Sequence, residues 1–317
     1  MQALEHQADA ITEIAARARA FFAGEWKGLS IKPRWHSLLV GQTGTGKTAV
    51  AEMAAKAVTA GTIGAAGTAS TILRCSSPGW VPAGAHQRGT KETISVIAAA
   101  VAANARTFLI IDEIEKLVDR VGDNGWKTYI RGEIYDLLDG RWPTGLRRPD
   151  DDSDDDSIDD AKAMAILTEK LQSSVFILGI GTFQDWFERA PSRRSMGFGA
   201  NDQEETISAD VVAGLMPREL ANRFNSQLIM LRDLDARHYH MIAQQAENTL
   251  PERLRLAFRT EVDRRIHPAI SAQKGVRFLE ECLMEVLKNR PLEGLEITIP
   301  KPTKDPGINL LTELCSL

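Results

Sequence analysis

Gly41-Gln42-Thr43-Gly44-Thr45-Gly46-Lys47-Thr48 is the stretch whose reading decides the fold. It fits the spacing G-x-x-x-x-G-K-[ST], in which a glycine-rich turn wraps backbone N–H groups around a phosphate chain. Gly41, Gly44 and Gly46 suit that turn because no Cβ blocks the close approach. Lys47 would reach the β- and γ-phosphates, and Thr48 would hold Mg2+. The flanks agree: Leu38-Leu39-Val40 is a short apolar strand, and TAVAEMAAKAV from Thr48 to Val58 reads as a helix. That helix points the positive end of its dipole at the phosphates. The expected nucleotide contacts are therefore Gly41, Gln42, Thr43, Gly44, Thr45, Gly46, Lys47, Thr48 and Ala49.

Working outward, Thr107 to Ile111 (TFLII) is an unbroken apolar run ending in Asp112-Glu113. A run without alternation suits a central parallel strand covered on both faces. Carboxylates at its C-terminal end stand where such sheets place their ligands. Asp112 would complete the Mg2+ shell, and Glu113 would polarise the attacking water as a general base. The competing reading has the two acids merely capping the next helix.

With these two segments in place, IIDEIEKL resembles the Walker B segment of the AAA+ ATPases, most of all the ClpX/HslU clade of hexameric protein unfoldases. Further stretches match that clade in the same order. Gly79-Trp80-Val81 stands at the pore loop that grips a substrate chain. VFILGIGTF (Val175–Phe183) resembles the sensor-1 strand, with Thr182 nearest the γ-phosphate position. Glu219 to Phe224 (ELANRF) resembles the segment carrying the arginine finger, here Arg223. Gly275-Val276-Arg277 resembles the sensor-2 motif, here Arg277. Met196-Gly197-Phe198-Gly199 resembles the loop by which such unfoldases dock on a peptidase. The resemblance implies ATP and Mg2+ as ligands, a homo-oligomeric ring of hexameric type, and a protein client. The clade's zinc-binding N-terminal domain has no counterpart here.

Bland readings stand beside these. Arg223 could pair with Glu219, four residues earlier on one helix face. Arg277 could be an ordinary solvated arginine. Trp80, flanked by Gly79, Pro78 and Pro82, is expected on a loop as an exposed aromatic; the alternative folds it back onto its own domain. Gly197-Phe198-Gly199 could be a local turn. Asp150 to Asp160 holds eight aspartates, a density that repels itself and predicts a disordered insertion over 149–161. That insertion is either a solvated loop or an electrostatic filter for basic substrates.

The remaining chain completes an α/β architecture: a P-loop doubly wound parallel five-stranded sheet with a small all-helical C-terminal lid. Strands are predicted near 36–40, 71–75, 107–111, 175–180 and 227–231, within a core spanning 36–234. Residues 1–35 form an N-terminal helix (from Ala3 to Ala23) and loop; 235–290 form the lid, with helices from Ala236 to Thr249, Pro251 to Ile266 and Val276 to Lys288. Residues 291–317 form a Pro- and Gly-punctuated tail. Three scattered cysteines fit neither a zinc site nor a disulfide framework, which suits a reducing, cytoplasmic setting. No run spans a membrane, and no export signal is evident. The net charge of −5 gives no general reason to expect nucleic-acid binding, although a local basic patch could exist. The expected function is thus a ring-forming ATPase that unfolds or remodels a protein. The alternatives are an AAA+ assembly factor acting on nucleic-acid complexes, of clamp-loader or transposition-regulator type, and a nucleotide-dependent binding module with little turnover.

Overall fold

The computed structural model describes residues 5–30, 33–59, 70–83, 91–117, 125–143, 158–183, 216, 218–224, 228–231, 233–272 and 274–288. Five strands, β1 Ser37–Val40, β2 Ser70–Ser76, β3 Arg106–Asp112, β4 Val175–Gly181 and β5 Ile229–Met230, form one sheet in the order β2-β3-β4-β1-β5. Every pairing is parallel. Helix α1 Glu5–Ala23 precedes β1, and α2 Lys47–Thr59, α3 Thr93–Ala103, α4 Trp126–Leu138 and α5 Ile158–Ser174 lie between strands. Because all strands run the same way, the C-terminal ends of β1, β3 and β4 come to one edge of the sheet. Val40 pairs with Gly181, and Ile111 with Gly179.

The unbroken apolar runs split by side-chain parity onto two layers. Leu38, Val40, Leu109, Ile111, Val175 and Ile177 pack on one face with Ile97 of α3, Ile134 of α4 and Leu171 of α5. Leu39, Phe108, Ile110, Phe176, Leu178 and Ile180 pack on the other with Val50 and Ala54 of α2 and Ile14 and Phe21 of α1. The N-terminal helix is thus part of the core layer next to the phosphate-loop helix.

A third, separate core joins three helices, Ala236–Thr249, Glu252–Ser271 and Arg277–Lys288, through Tyr239, Phe258, Val262, Phe278 and Cys282. The middle helix runs past its predicted end at Ile266, through Pro268. Burial of Ile266 and Ala269 in the lid core holds the added turn, and a proline this near the C-terminus forfeits a single backbone bond. Asp235 caps the first lid helix by accepting from the His238 N–H at 2.8 Å.

The end of the predicted acidic insertion is helical. Helix α5 begins at Ile158, so Asp159 and Asp160 are helical. The aspartates up to 156 lie outside the described residues. β5 covers Ile229–Met230 of the predicted 227–231 and pairs with β1 at the edge of the sheet. Among the described residues, no helix is long and apolar enough to cross a membrane.

Candidate functional site

The turn after β1 has the backbone its sequence demands. Gly44 and Gly46 take φ of 84° and 89°, where a side chain would strain the backbone. A Cβ on Gly41 would stand 3.1 Å from Leu231 Cβ and Thr45 Oγ1. The Thr45 hydroxyl closes the turn from inside, donating to the Gln42 carbonyl at 2.9 Å. Gln7 of α1 donates from Nε2 to the Thr45 carbonyl at 3.0 Å, and Gln42 donates to Asp233 at 2.7 Å. Thr43 and Ala49 are exposed at the rim.

Lys47 opens α2 and folds its ammonium back into the turn. Nζ donates to the carbonyls of Gly41 and Gln42, both at 2.7 Å. Burial brings its pKa down to about 8, against the pull of Glu115, Asp112 and Asp233; Arg277 adds like-charge repulsion. Arg277 therefore stands within electrostatic reach of Lys47, although it opens a lid helix far away in sequence.

The phosphate loop meets β3 directly: Thr48 Oγ1 donates to Asp112 Oδ2 at 3.2 Å. The same oxygen accepts from Arg74 Nη2 of β2 at 2.7 Å, and the Arg74 guanidinium reaches on to Glu52 at 3.4 Å. A hydroxyl and a carboxylate oxygen at this spacing are a fitting donor pair for Mg2+, which takes few protein ligands and keeps water. Glu113, next in line, is exposed and has φ of 56°, an unusual backbone for a non-glycine residue. Ser77 holds that kink by donating from its hydroxyl to the Glu113 carbonyl at 2.6 Å, while the Glu113 N–H donates to Asp112 Oδ1 at 3.0 Å. The two acids diverge: Asp112 turns to Thr48 and also accepts the N–H ahead of the Ile114–Leu117 turn, and Glu113 is exposed.

Thr182 follows β4, at the same sheet edge. The turn is set by Phe183, with φ of 46° and its ring folded over Gly181, where a Cβ would sit 2.3 Å from the ring. The Thr182 backbone N–H donates to the carboxyl of Glu115, whose pKa burial raises. Glu115 Oε2 is buried and has no hydrogen-bond partner. Glu115, Arg74 and Ser77 were missed in the sequence. Nothing local marks them; they matter because register brings β2, β3 and β4 side by side.

Arg223 lies on a helical turn, Arg218–Ala221, and the residues just after it. Its guanidinium stacks 4.2 Å from the Tyr135 ring centroid and pairs with Asp139 at 3.1 Å, both residues at the end of α4. It also donates to the Glu219 carbonyl at 2.7 Å. The guanidinium thus forms its ion pair with Asp139 and reaches the backbone carbonyl, not the carboxylate, of Glu219.

Trp80 requires a correction. It was expected as an exposed loop aromatic; it is 4% exposed and belongs to the core cluster under α3 and α4. Its indole Nε1 donates to Glu133 Oε2 at 2.7 Å, and the Ala83 N–H donates to Glu133 Oε1 at 2.7 Å. Burying a large indole is strongly favourable once its N–H has a partner, and Glu133 supplies one. Burial raises the Glu133 carboxyl pKa, and the Trp80 and Ala83 donors act the other way. Gly79 is exposed, and Val81 is half-buried and tied to Thr93 by Val81 N–H to Oγ1 at 2.8 Å. Trp80→Ala should accordingly lower the stability of the αβ core by about 3–5 kcal/mol. Chemical denaturation of the two proteins checks this; an unchanged midpoint would return Trp80 to the surface. Met196 to Gly199 lies outside the described residues.

Residues 37–195, half of the chain, match the family described as ATPase family associated with various cellular activities (AAA). No curated protein matches the chain.

Proposed function

We propose that this chain, which belongs to the AAA family of ATPases, hydrolyses ATP within a closed ring of its own copies and spends the turnover on remodelling a protein client. The observation that carries the hydrolytic part is the Thr48–Asp112 junction, with Lys47 on one side and an outward Glu113 on the other. Lys47 would exchange its two carbonyl partners for phosphate oxygens and counter the charge that the γ-phosphate develops. Glu113 would accept a hydrogen bond from the attacking water and take its proton. Mg2+ held between Thr48 and Asp112 would neutralise charge on the phosphate oxygens; Arg74 would have to share Asp112 Oδ2 with it. Thr182 and Arg277 would read the γ-phosphate from β4 and from the lid. Arg223 would act on the site of a neighbouring copy, which makes a head-to-tail ring necessary.

Support for a protein client comes from the ordered resemblance to the ClpX/HslU clade and from the net charge of −5. The alternative, an assembly factor on nucleic-acid complexes, requires binding that falls steeply with salt. Glu113→Gln discriminates. This variant should bind ATP, turn it over about a hundredfold or more slowly, stay assembled and retain its client. Polypeptide recovered on the trapped variant supports remodelling of protein. Nuclease-sensitive material alone, released by salt, would replace this reading with the alternative, and a wild-type rate as low as the variant's would sink the motor altogether.

A further inference from the structure

We infer that the lid reads the state of the phosphate loop through a main-chain seat formed by Gly44 and Gly275, a route separate from the Arg277 side chain. The inference rests on the proposal that Gly41–Thr48 cradles a nucleotide. Three observations carry it. Gly44 and Gly275 both have positive φ, 84° and 63°. A Cβ on Gly44 would lie 2.6 Å from Gly275 Cα and 2.9 Å from the Lys274 carbonyl oxygen, and one on Gly275 would lie 2.3 Å from Gly44 Cα. Every one of these neighbours is backbone, so no rotamer change makes room.

The second observation is the hydrogen bond across the seat. Val276 N–H donates to the Gly44 carbonyl at 3.2 Å. That carbonyl shares a peptide unit with the Thr45 N–H, whose long 3.4 Å bond to the Gln42 carbonyl a phosphate would replace. An anion that takes up this N–H makes the oxygen at the other end of the peptide a stronger acceptor. A bound phosphate would therefore tighten the Val276 bond, and a docked lid would make Thr45 a better phosphate donor, as reciprocity of coupling requires.

The third is the anchor on the lid side. Gly275 N–H donates to the Tyr239 hydroxyl at 2.8 Å in a buried contact. Tyr239 is itself packed against Phe278, ring centroids 5.5 Å apart, in the lid core. The route runs from phosphate loop to Val276, Gly275, Tyr239 and the lid interior without passing through a charged group. Tyr239 and Gly275 are positioning residues on it.

Amide hydrogen exchange of the full chain with and without MgADP tests this, on wild type, Gly275→Ala, Tyr239→Phe and Arg277→Ala. In wild type, MgADP should slow exchange at Val276 by about tenfold, the equivalent of one strengthened buried hydrogen bond. Gly275→Ala should abolish that slowing and weaken MgADP about tenfold, while core amides of the lid at Phe258 and Val262 keep their wild-type protection. Tyr239→Phe, which removes one hydroxyl, should give a smaller loss of both, about threefold. Arg277→Ala should retain the slowing. Full slowing in Gly275→Ala, or its loss in Arg277→Ala alone, overturns the seat. Failure of wild type to bind MgADP overturns the nucleotide reading and the seat with it.

Discussion

Arg223→Ala is expected to lower ATP turnover by the assembled protein about a thousandfold, because a guanidinium lent to a phosphoryl-transfer site is worth at least that much. Affinity for ATP should change little, since a finger of the kind proposed for Arg223 acts on charge that develops in the transition state. The structure adds a condition. Arg223 is stacked on Tyr135 and paired with Asp139 of its own chain, so these contacts fix where the guanidinium points. A mixing experiment separates a group acting across subunits from one acting at home. Lys47→Ala subunits keep Arg223, and Arg223→Ala subunits keep Lys47; each is inactive alone. Mixed rings contain some junctions with both residues and should recover a measurable share of wild-type turnover. If the mixture stays as inactive as its parents although mixed assemblies form, Arg223 serves its own chain or serves only Asp139.

Lys47→Ala should weaken ATP binding by about tenfold to a hundredfold, the value of one or two charge-assisted hydrogen bonds to phosphate. The pH dependence carries more information than the loss itself. In the free protein, burial holds the Lys47 pKa at about 8. Phosphate beside the ammonium favours the charged form and raises the pKa. Binding therefore takes up a proton between the two values, and affinity falls as pH rises past about 8, by up to tenfold per unit. Below pH 8 the affinity should be flat with respect to this group. Folding shows the opposite sign. The folded pKa lies below the ordinary 10.5, so the unfolded chain binds more protons between about 8 and 10.5. The penalty of burying the charge is in force below pH 8 and lifts as pH climbs through that window. Titrating a fluorescent nucleotide at pH 7 to 10 checks the binding side. A wild-type profile that matches the flat profile of Lys47→Ala would show that the lysine does not contact phosphate.

The linear order of residues carried a large part of this molecule. Gly44 and Gly46 lie close in the chain, and their positive φ follows from local sterics. The same holds for the strands at Leu38 and Phe108, because an unbroken apolar run has few other places to go. Segments that depend on an edge or an end were less legible. β5 covers only Ile229–Met230 of the predicted stretch, and the helix containing Pro268 persists because its last turn has a core to join.

Trp80 marks where local reading stops. Prolines and a glycine around it signal a loop, and the loop exists; whether the indole leaves or enters the core depends on Glu133, 53 residues further on. Arg74 and Asp112, Ser77 and Glu113, Glu115 and Thr182, and Gly44 and Gly275 are likewise pairs that meet through sheet register or lid docking.

Short-range chemistry, the glycine turn and the acids ending β3, was therefore determined by the chain alone, since backbone sterics and strand burial act over a few residues. Which side chains face the phosphate loop, hold Arg223 or bury Trp80 was decided only by the tertiary structure. Those contacts join residues that the parallel crossovers and the lid bring together from far along the chain, and no local preference encodes them.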